Sequence, residues 1–331
     1  MRDEWNHKVF GVEEGDFEDL ALEIFRFQAD ENPVYKAYLE ALRVNTAAIT
    51  AIEQIPFLPV RFFKSHAVQT TSFDPAITFE SSGTAGTISS RHMVKDLSLY
   101  EKSFAKCFEL FYGPVKEWCI IGLLPSYLER SNSSLVYMVD KLIQLSGNPQ
   151  SGFYLHEYDK LFAKLGELEK RQQKTLLIGV TFALLDFAEK YSLPLQYVTI
   201  METGGMKGRR KEMIRPEVHT LLKKSFGQPA IHSEYGMTEL LSQAYSKGEG
   251  VFFSPPWMKM LVRDEEDPFL VKRAGSGTIN VIDLANIYSC SFIATDDVGK
   301  IHTDGRFEVF GRVDGSDLRG LQPDGSLKKF Y

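Results

Sequence analysis

The stretch that organises this sequence reads Ser81-Ser82-Gly83-Thr84-Ala85-Gly86-Thr87, with Arg91 and His92 close behind it. Its small residues let the main chain approach a ligand closely, and its hydroxyl and N–H groups can donate hydrogen bonds. This combination suits phosphate oxygens, and the two basic side chains can add charge-assisted hydrogen bonds. No Gly-Lys-Ser/Thr closes the run, so it is not a Walker A loop. On its own, the run is equally compatible with an ordinary surface loop.

Composition indicates a soluble α/β protein with one large domain or two adjoining subdomains. The chain has 331 residues, of which 44% are hydrophobic and 25% are charged. A net charge of −6 argues against a general nucleic-acid binder, because no broad basic face is available. The basic run Lys207-Gly208-Arg209-Arg210-Lys211 is an exception, and it is either a solvated loop or a small anion site.

Cysteine usage and hydropathy predict a cytoplasmic location. Cys107, Cys119 and Cys290 are widely spaced in apolar surroundings, without a disulfide framework or a metal-binding CxxC motif. The first twenty residues are acidic and lack the apolar core of a secretion signal. No run approaches the roughly 20 apolar residues that a membrane span needs. We therefore expect neither a membrane span nor a nucleic-acid partner.

The middle of the chain alternates apolar strands with amphipathic helices, which predicts crossover units and a mostly parallel sheet. After a helix-rich segment from 16 to 43, a short strand at 76–79 leads into the glycine-rich loop. A capping box at Ser98 and Glu101 is predicted to begin the next helix. The further predicted strands are 118–125, 175–180, 197–201 and 230–232, and the helices are 134–145, 158–168, 182–191 and 215–226.

From Lys259 onward, short β-like runs alternate with turns, which predicts an antiparallel β-subdomain. The runs are 259–262, 269–272, 277–283, 289–294, 300–302 and 307–310. The predicted division is therefore an α/β core with the phosphate loop over residues 1–258, a β-rich subdomain of the same domain over 259–312, and a short hinge-like tail over 313–331.

Four stretches occur along the chain in an order that suits a bound nucleotide. The glycine-rich loop comes first, followed by Glu202-Thr203-Gly204-Gly205, then Tyr235-Gly236-Met237-Thr238-Glu239, and finally Thr295-Asp296-Asp297 with Gly311-Arg312. Each of them follows a predicted apolar strand. Each stretch also has an ordinary explanation, such as a turn glycine, a core tyrosine or a solvated acid. Their joint occurrence in this order favours a ligand site.

Each stretch offers a group that a nucleotide needs. Exposed main chain at Gly204 and Gly205 allows close approach to a flat ring, and Tyr235 offers an aromatic face. Glu239 offers a carboxylate, the hard oxygen ligand that Mg²⁺ prefers. Asp297 can accept hydrogen bonds from two ribose hydroxyls, and Arg312 can reach ribose or phosphate.

The set resembles the adenylate-forming superfamily, whose members join a carboxylate to AMP before passing the acyl group on. The nearer resemblance is to the LuxE-type acyl-protein synthetases, the synthetase component of bacterial fatty-acid reductase systems. It rests on Ile55-Pro56-Phe57-Leu58-Pro59-Val60 with Phe63-Lys64, on the loop running into Ser90-Arg91-His92, on Glu234 to Leu240, and on the run from Gly311 to Gly320. These motifs span nearly the whole chain.

The resemblance implies a fold, a reaction and a set of roles. The fold is the large domain of the adenylate-forming enzymes: mostly parallel sheets flanked by helices, with a C-terminal antiparallel β-subdomain and with the mobile C-terminal domain absent. The reaction is ATP- and Mg²⁺-dependent formation of an acyl-adenylate from a carboxylic acid, with a fatty acid as the expected substrate. The implied binding residues are Ser81, Ser82, Gly83, Thr84, Gly86 and Thr87 for phosphates; Gly204, Gly205, Tyr235 and Gly236 for adenine; Asp297 and Arg312 for ribose; and Glu239 for Mg²⁺.

Catalysis by such an enzyme needs positioning and charge neutralisation rather than a protein nucleophile. Thr238 is expected at the α-phosphate. Arg91, His92 and Lys207 are expected to supply positive charge, with His92 nearest the reacting centre.

The acyl acceptor stays open at this stage. The LuxE group is acylated on a cysteine near its C-terminus, whereas no cysteine here follows Cys290. The acceptor is therefore another protein such as a reductase, a carrier thiol or coenzyme A. The alternatives to an acyl-protein synthetase are a coenzyme A ligase of the phenylacetate type and a non-catalytic adenylate-binding subunit.

Overall fold

The computed structural model describes residues 2–81, 88–124, 132–204, 213–264 and 266–312. The chain divides into two compact units. Pro75–Pro255 forms the first, called here the α/β unit. Met1–Asp74 and Pro256–Tyr331 together form the second, called here the β-rich unit.

The described helices are α1 Arg2–Phe10, α2 Phe17–Glu31, α3 Pro33–Ala41, α4 Phe62–Ser65, α5 Leu97–Tyr112, α6 Ser134–Ser146, α7 Tyr158–Lys170, α8 Thr181–Lys190 and α9 Arg215–Phe226. Short 3₁₀ turns lie at Glu14–Asp16, Thr46–Ala48, Ile52–Gln54 and Val115–Glu117. The described strands are β1 Leu58–Pro59, β2 Ile77–Glu80, β3 Arg91–Val94, β4 Cys119–Leu123, β5 Gly152–Tyr154, β6 Thr175–Val180, β7 Val198–Thr203, β8 His232–Tyr235, β9 Ala244–Ser246, β10 Val251–Phe252, β11 Met258–Arg263, β12 Val271–Lys272, β13 Gly275–Asp283, β14 Phe292–Ile301 and β15 Phe307–Arg312.

The α/β unit is built on a sheet with the strand order β5-β4-β6-β7-β8-β9. Its first five strands run parallel, and β9 joins β8 antiparallel. Strands β4 and β6 are buried along their whole length, as continuous apolar runs covered on both faces should be. The predicted mostly parallel sheet is confirmed.

Glycines end two helices of this unit. Gly147 follows α6 with φ of 59°, and Gly227 follows α9 with φ of 62°, a left-handed conformation that glycine adopts without steric cost. The predicted capping box at the start of α5 is wrong. Asp96, two residues before Ser98, is the N-cap, and its carboxylate accepts a hydrogen bond from the Ser98 N–H.

Strands β2 and β3 form a separate antiparallel hairpin in the α/β unit. Its register pairs Phe79 with His92 and Glu80 with Arg91. The Glu80 N–H also donates to the Asn132 carbonyl at 2.8 Å, which ties the edge of the hairpin to the segment before α6.

In the β-rich unit, β15, β14, β13, β11 and β12 are antiparallel neighbours in that order, and β1 runs parallel to β14. The predicted antiparallel β-subdomain is confirmed. Two predicted strands, 289–294 and 300–302, are a single strand β14, so the Thr295-Asp296-Asp297 stretch lies within a strand rather than in a turn. The predicted tail 313–331 lies outside the described residues.

Helices α2 and α3 pack in the same unit as this sheet. The apolar positions of α2 at helical spacing, Phe17, Leu20, Ala21, Ile24 and Phe25, are all buried. The sequence prediction assigned residues 1–258 to the α/β core, whereas the structure groups residues 1–74 with the strands after Pro256. Contacts distant in sequence produce this grouping, such as that from Asn32 Nδ2 to the Ser289 carbonyl at 2.9 Å.

None of the described helices has the length and apolar character required to cross a membrane.

Candidate functional site

The glycine-rich loop is the connection between strands β2 and β3 of the hairpin. The Ser81 N–H donates to the Ser90 carbonyl at 3.0 Å, and the Ser90 N–H donates to Ser81 Oγ at 2.8 Å. These two bonds close the neck of the hairpin. Of the predicted phosphate-binding residues, Ser81 lies at this neck, and Ser82, Gly83, Thr84, Gly86 and Thr87 lie outside the described residues.

Arg91 and His92 occupy opposite faces of β3, because side chains alternate along a strand. Arg91 is exposed, whereas His92 is only 1% exposed. His92 Nδ1 lies 2.8 Å from the Thr238 carbonyl oxygen. A carbonyl only accepts hydrogen bonds, so Nδ1 carries the proton in this contact. The structure thus brings together two predicted site residues that are 146 positions apart in the chain.

The Tyr235–Glu239 motif begins on the last residue of β8, at the carboxyl end of the parallel strands. This is the edge at which open α/β sheets bind ligands. Tyr235 is 8% exposed, and its ring packs against Phe252 at a centroid distance of 6.0 Å. Gly236 is exposed, Thr238 is half-buried and Glu239 is buried.

The carboxylate of Glu234 lies close to the main chain of Gly236. A Cβ at position 236 would collide with Glu234 Oε1. The motif therefore has a steric reason for glycine in addition to any contact with a ligand.

Strand β7 ends beside β8, and the predicted ring-binding glycines follow it. Gly204 is exposed with φ of 71°, and its carbonyl accepts a hydrogen bond from Thr181 Oγ1 at 2.9 Å. Thr181 is the first residue of α8, so one helix start holds this turn. Gly205 and Lys207 lie outside the described residues.

Sequence reasoning missed a buried charge network directly behind Gly204. Glu202 is 4% exposed and accepts from Arg215 Nε at 3.1 Å and from Thr181 Oγ1 at 3.0 Å. His219 Nε2 lies 3.6 Å from Glu202 Oε1 and 3.3 Å from Ser233 Oγ. Burial raises the pKa of Glu202, but hydrogen bonds from His219 and Ser233 and the charge of Arg215 outweigh it and lower the pKa to about 2.

The second missed residue is Glu234, opposite Thr203 in the β7–β8 register. The hydroxyl of Thr203 donates to Glu234 Oε2. The pKa of Glu234 is raised to about 7. Burial is the largest cause, the hydrogen bond from Thr203 opposes it, and the negative charge of Glu202 adds to it. Arg215 and His219 at the i and i+4 positions of α9 are a sequence signal for a buried partner such as Glu202. Glu234 gives no such signal.

The raised pKa of Glu234 predicts that its contribution to stability decreases as pH rises. Between pH 4.5 and pH 7 the folded chain binds more protons at this site than the unfolded chain, so its contribution to stability falls as pH rises. Glu234→Gln is expected to remove this slope, which amounts to at most about 3 kcal/mol. Urea unfolding of both proteins across this range checks the prediction. Parallel pH curves for the two proteins would contradict it.

The β-rich unit holds the predicted ribose pair. Asp297 on β14 and Arg312 on β15 are register partners, and Arg312 Nε donates to Asp297 Oδ1 at 3.2 Å. Asp297 is 6% exposed, whereas the Arg312 side chain is 57% exposed. The Asp297 N–H donates to Thr295 Oγ1 at 3.1 Å, which holds the main chain of the acid in place. An exposed guanidinium beside a fixed carboxylate offers both donors and acceptors to a ligand.

All three cysteines are fully buried. Burial raises the pKa of Cys290 to about 12, and its thiol donates to the Phe292 carbonyl at 3.4 Å. A buried neutral thiol is a poor nucleophile. The predicted core positions of Cys107, Cys119 and Cys290 are confirmed.

Comparisons with known proteins give structural neighbours only. No family model matches the sequence, and no curated protein matches it. A 2-hydroxyisobutyryl-CoA ligase, solved with 2-HIB-AMP and CoA, matches with a TM-score of 0.65 at 11% identity, over 93% of this chain and 70% of the ligase. ATP-bound MatB from Rhodopseudomonas palustris matches with a TM-score of 0.56 at 18% identity, over 75% of this chain and 49% of MatB.

The amide bond synthetase McbA from Marinactinospora thermotolerans matches with a TM-score of 0.51 at 15% identity, over 74% of this chain and 50% of McbA. The matches to MatB and McbA thus span about half the length of those proteins. The chain therefore has the adenylate-forming enzyme fold that its sequence predicts.

Proposed function

We propose that this chain activates a carboxylic acid with ATP, forming an acyl-adenylate and pyrophosphate. One observation carries the proposal: His92, at the base of the glycine-rich hairpin, is hydrogen-bonded to Thr238 of the Tyr235–Glu239 motif. The two stretches assigned to phosphate binding from sequence are thus joined within one unit. The fold neighbours solved with ATP or with an acyl-adenylate support the same reaction.

The proposed roles follow the motifs. In the reaction, a carboxylate oxygen attacks the α-phosphorus and pyrophosphate leaves, so the protein has to bind, orient and neutralise charge. Thr238 contacts the α-phosphate, and Arg91, His92 and Lys207 serve the reacting phosphates. The other proposed ligands are Ser81, Ser82, Gly83, Thr84, Gly86 and Thr87 for the phosphate chain; Gly204, Gly205, Tyr235 and Gly236 for adenine; and Asp297 and Arg312 for ribose.

Glu239 is the proposed protein ligand of Mg²⁺. Among the described residues there is no cluster of three or more histidine, cysteine, aspartate or glutamate side chains that could hold a metal ion. A single buried carboxylate nevertheless fits Mg²⁺, which commonly takes one or two carboxylates and completes its shell with water and substrate phosphates. When bound, the ion would neutralise phosphate charge.

The acyl group is proposed to pass to a thiol outside this sequence. Cys107, Cys119 and Cys290 are all buried, so none of them is placed to accept it. We propose a fatty acid as the substrate and a protein thiol, as in a fatty-acid reductase system, as the acceptor. The second candidate is coenzyme A, which the 2-hydroxyisobutyryl-CoA ligase neighbour binds.

Carboxylate-dependent exchange of labelled pyrophosphate into ATP tests the proposal. The acids should include fatty acids of graded length and several aromatic acids. Exchange with one class of acid is expected, and adding coenzyme A or a candidate reductase then identifies the acceptor. ATP binding without exchange, whichever acid or partner is added, would instead support a non-catalytic adenylate-binding subunit.

Glu239→Gln is expected to lower the Mg²⁺-dependent exchange rate at least about tenfold, because an amide cannot supply the negative charge that the ion needs. Glu109→Gln is the matched control, since Glu109 is exposed on α5 of the same unit. Unchanged exchange and unchanged Mg²⁺ dependence in Glu239→Gln would remove Glu239 from the metal site.

A further inference from the structure

We propose that His92 is a positioning residue that acts through Nδ1. It holds the β2–β3 hairpin against the peptide that joins Thr238 to Glu239. This inference rests on the proposed function and changes the role expected for His92 from supplying charge to setting geometry.

The location of His92 supports a role between two structural elements. Its cross-strand partner Phe79 is fully buried, and His92 itself is 1% exposed. The hairpin belongs to its own two-stranded sheet, whereas Thr238 follows β8 of the six-stranded sheet. The Nδ1 contact at 2.8 Å therefore joins two separate sheets of the α/β unit rather than neighbours within one.

The hydrogen bond also orients a particular peptide group. The described chain contains no cis peptide bond, so the C=O of Thr238 and the N–H of Glu239 point in opposite directions across a planar group. With the carbonyl directed at His92, the Glu239 N–H faces away from the hairpin. The two residues proposed for the α-phosphate and for Mg²⁺ flank this peptide, so its orientation sets the direction of both.

The hairpin is fixed at a second point by main-chain atoms. The Glu80 N–H donates to the Asn132 carbonyl, and the bonds between Ser81 and Ser90 close its neck. None of these hydrogen bonds uses the side chain at position 92, so we expect them to remain in its variants. Loss of the imidazole should thus leave the hairpin folded and release mainly its link to Thr238.

Two substitutions separate a positioning role from a direct one. An asparagine places its amide nitrogen close to where Nδ1 of histidine lies, whereas a glutamine reaches the position of Nε2. If His92 acts through Nδ1, His92→Asn should retain much more of the wild-type activity than His92→Gln. His92→Gln and His92→Ala should then lose it together.

The experiment measures pyrophosphate exchange with wild type, His92→Asn, His92→Gln and His92→Ala in the full chain. We expect kcat/KM for ATP to fall roughly 10- to 100-fold in the alanine and glutamine variants, since misplaced reacting groups cost this much. The KM for the acid should not change. His232→Ala is the matched control, because His232 Nδ1 lies 3.2 Å from the Tyr112 hydroxyl and not at the Thr238 carbonyl. Higher activity in His92→Gln than in His92→Asn would overturn the inference.

A second measurement does not depend on activity or on any variant. The ¹⁵N spectrum of the wild-type imidazole should show Nδ1 of His92 protonated, and an unprotonated Nδ1 would overturn the inference. If no acid supports exchange in wild type, the proposed function fails, and this spectrum still tests the link between the hairpin and Thr238.

Discussion

Replacing Glu202 with glutamine is expected to destabilise the α/β unit by about 3 kcal/mol or more, because it removes one partner of a buried ion pair. The carboxylate accepts from Arg215 on one oxygen and from Thr181 on the other. An amide has a single acceptor oxygen, so one of these donors loses its bond. The positive charge of Arg215 is then no longer neutralised by a carboxylate.

The network predicts the pH range in which this stability disappears. The pKa of Glu202 is about 2 in the folded chain against an ordinary value of 4.5. Between these values the unfolded chain binds more protons, so the stabilisation is complete above pH 4.5 and is lost as pH falls toward 2. Wild type and Glu202→Gln should therefore converge in stability in acid.

Urea unfolding at several pH values checks both statements. Glu249→Gln is the matched control. Glu249 pairs with Lys223, which lies on α9 as Arg215 does, but the Glu249 side chain is 80% exposed. Exposed pairs contribute little, so this control should leave the unfolding midpoint unchanged. Equal midpoints for Glu202→Gln and wild type at neutral pH would show that the buried network does not stabilise the fold.

Local sequence patterns predicted most elements of the fold and failed where distant contacts decide. The strand at 175–180 and the helix at 215–226 have the predicted bounds, because apolar periodicity and a terminal glycine are local signals. Strand β14 was divided in two because Thr295-Asp296-Asp297 has the composition of a turn. Asp297 is accommodated because it pairs with Arg312 of β15 across the sheet, which no local pattern reports, and Asp296 is exposed.

For the candidate site, motifs identified stretches of sequence, and the structure supplied the relations between side chains. Spacing suggested that Tyr235 and Glu239 follow a strand, and β8 does end at Tyr235. The same reasoning could not show that His92 faces inward on β3 or that Thr238 is its acceptor. Glu202 and Glu234 lie in the quoted motifs, but sequence assigns them no role because each is an ordinary acid there. Both are buried on neighbouring strands, and the hydrogen bonds and positive charge around Glu202 separate its low pKa from the raised pKa of Glu234.

Replacing Gln28 with alanine is expected to destabilise the β-rich unit by about 3 kcal/mol, because several buried polar groups each lose a hydrogen bond at once. The Gln28 side chain is fully buried on α2. Its amide nitrogen lies within hydrogen-bond distance of the Asn286 carbonyl at 3.2 Å, the Ile287 carbonyl at 2.9 Å and Ser291 Oγ at 3.2 Å. Its oxygen accepts from the Ser291 N–H at 2.9 Å.

A second variant separates the hydrogen bonds of Gln28 from its volume. Gln28→Met fills most of the same space without polar atoms. If unsatisfied main-chain groups cause the destabilisation, Gln28→Met should be destabilised nearly as much as Gln28→Ala. Gln69→Ala serves as the control, because Gln69 is half-buried in the same unit and makes one bond, to the Phe73 carbonyl at 3.1 Å. Amide exchange should also speed up at Ser291 in both Gln28 variants. Wild-type stability in Gln28→Met would assign the effect to packing and would leave the bonds between α2 and residues 286–291 without a stabilising role.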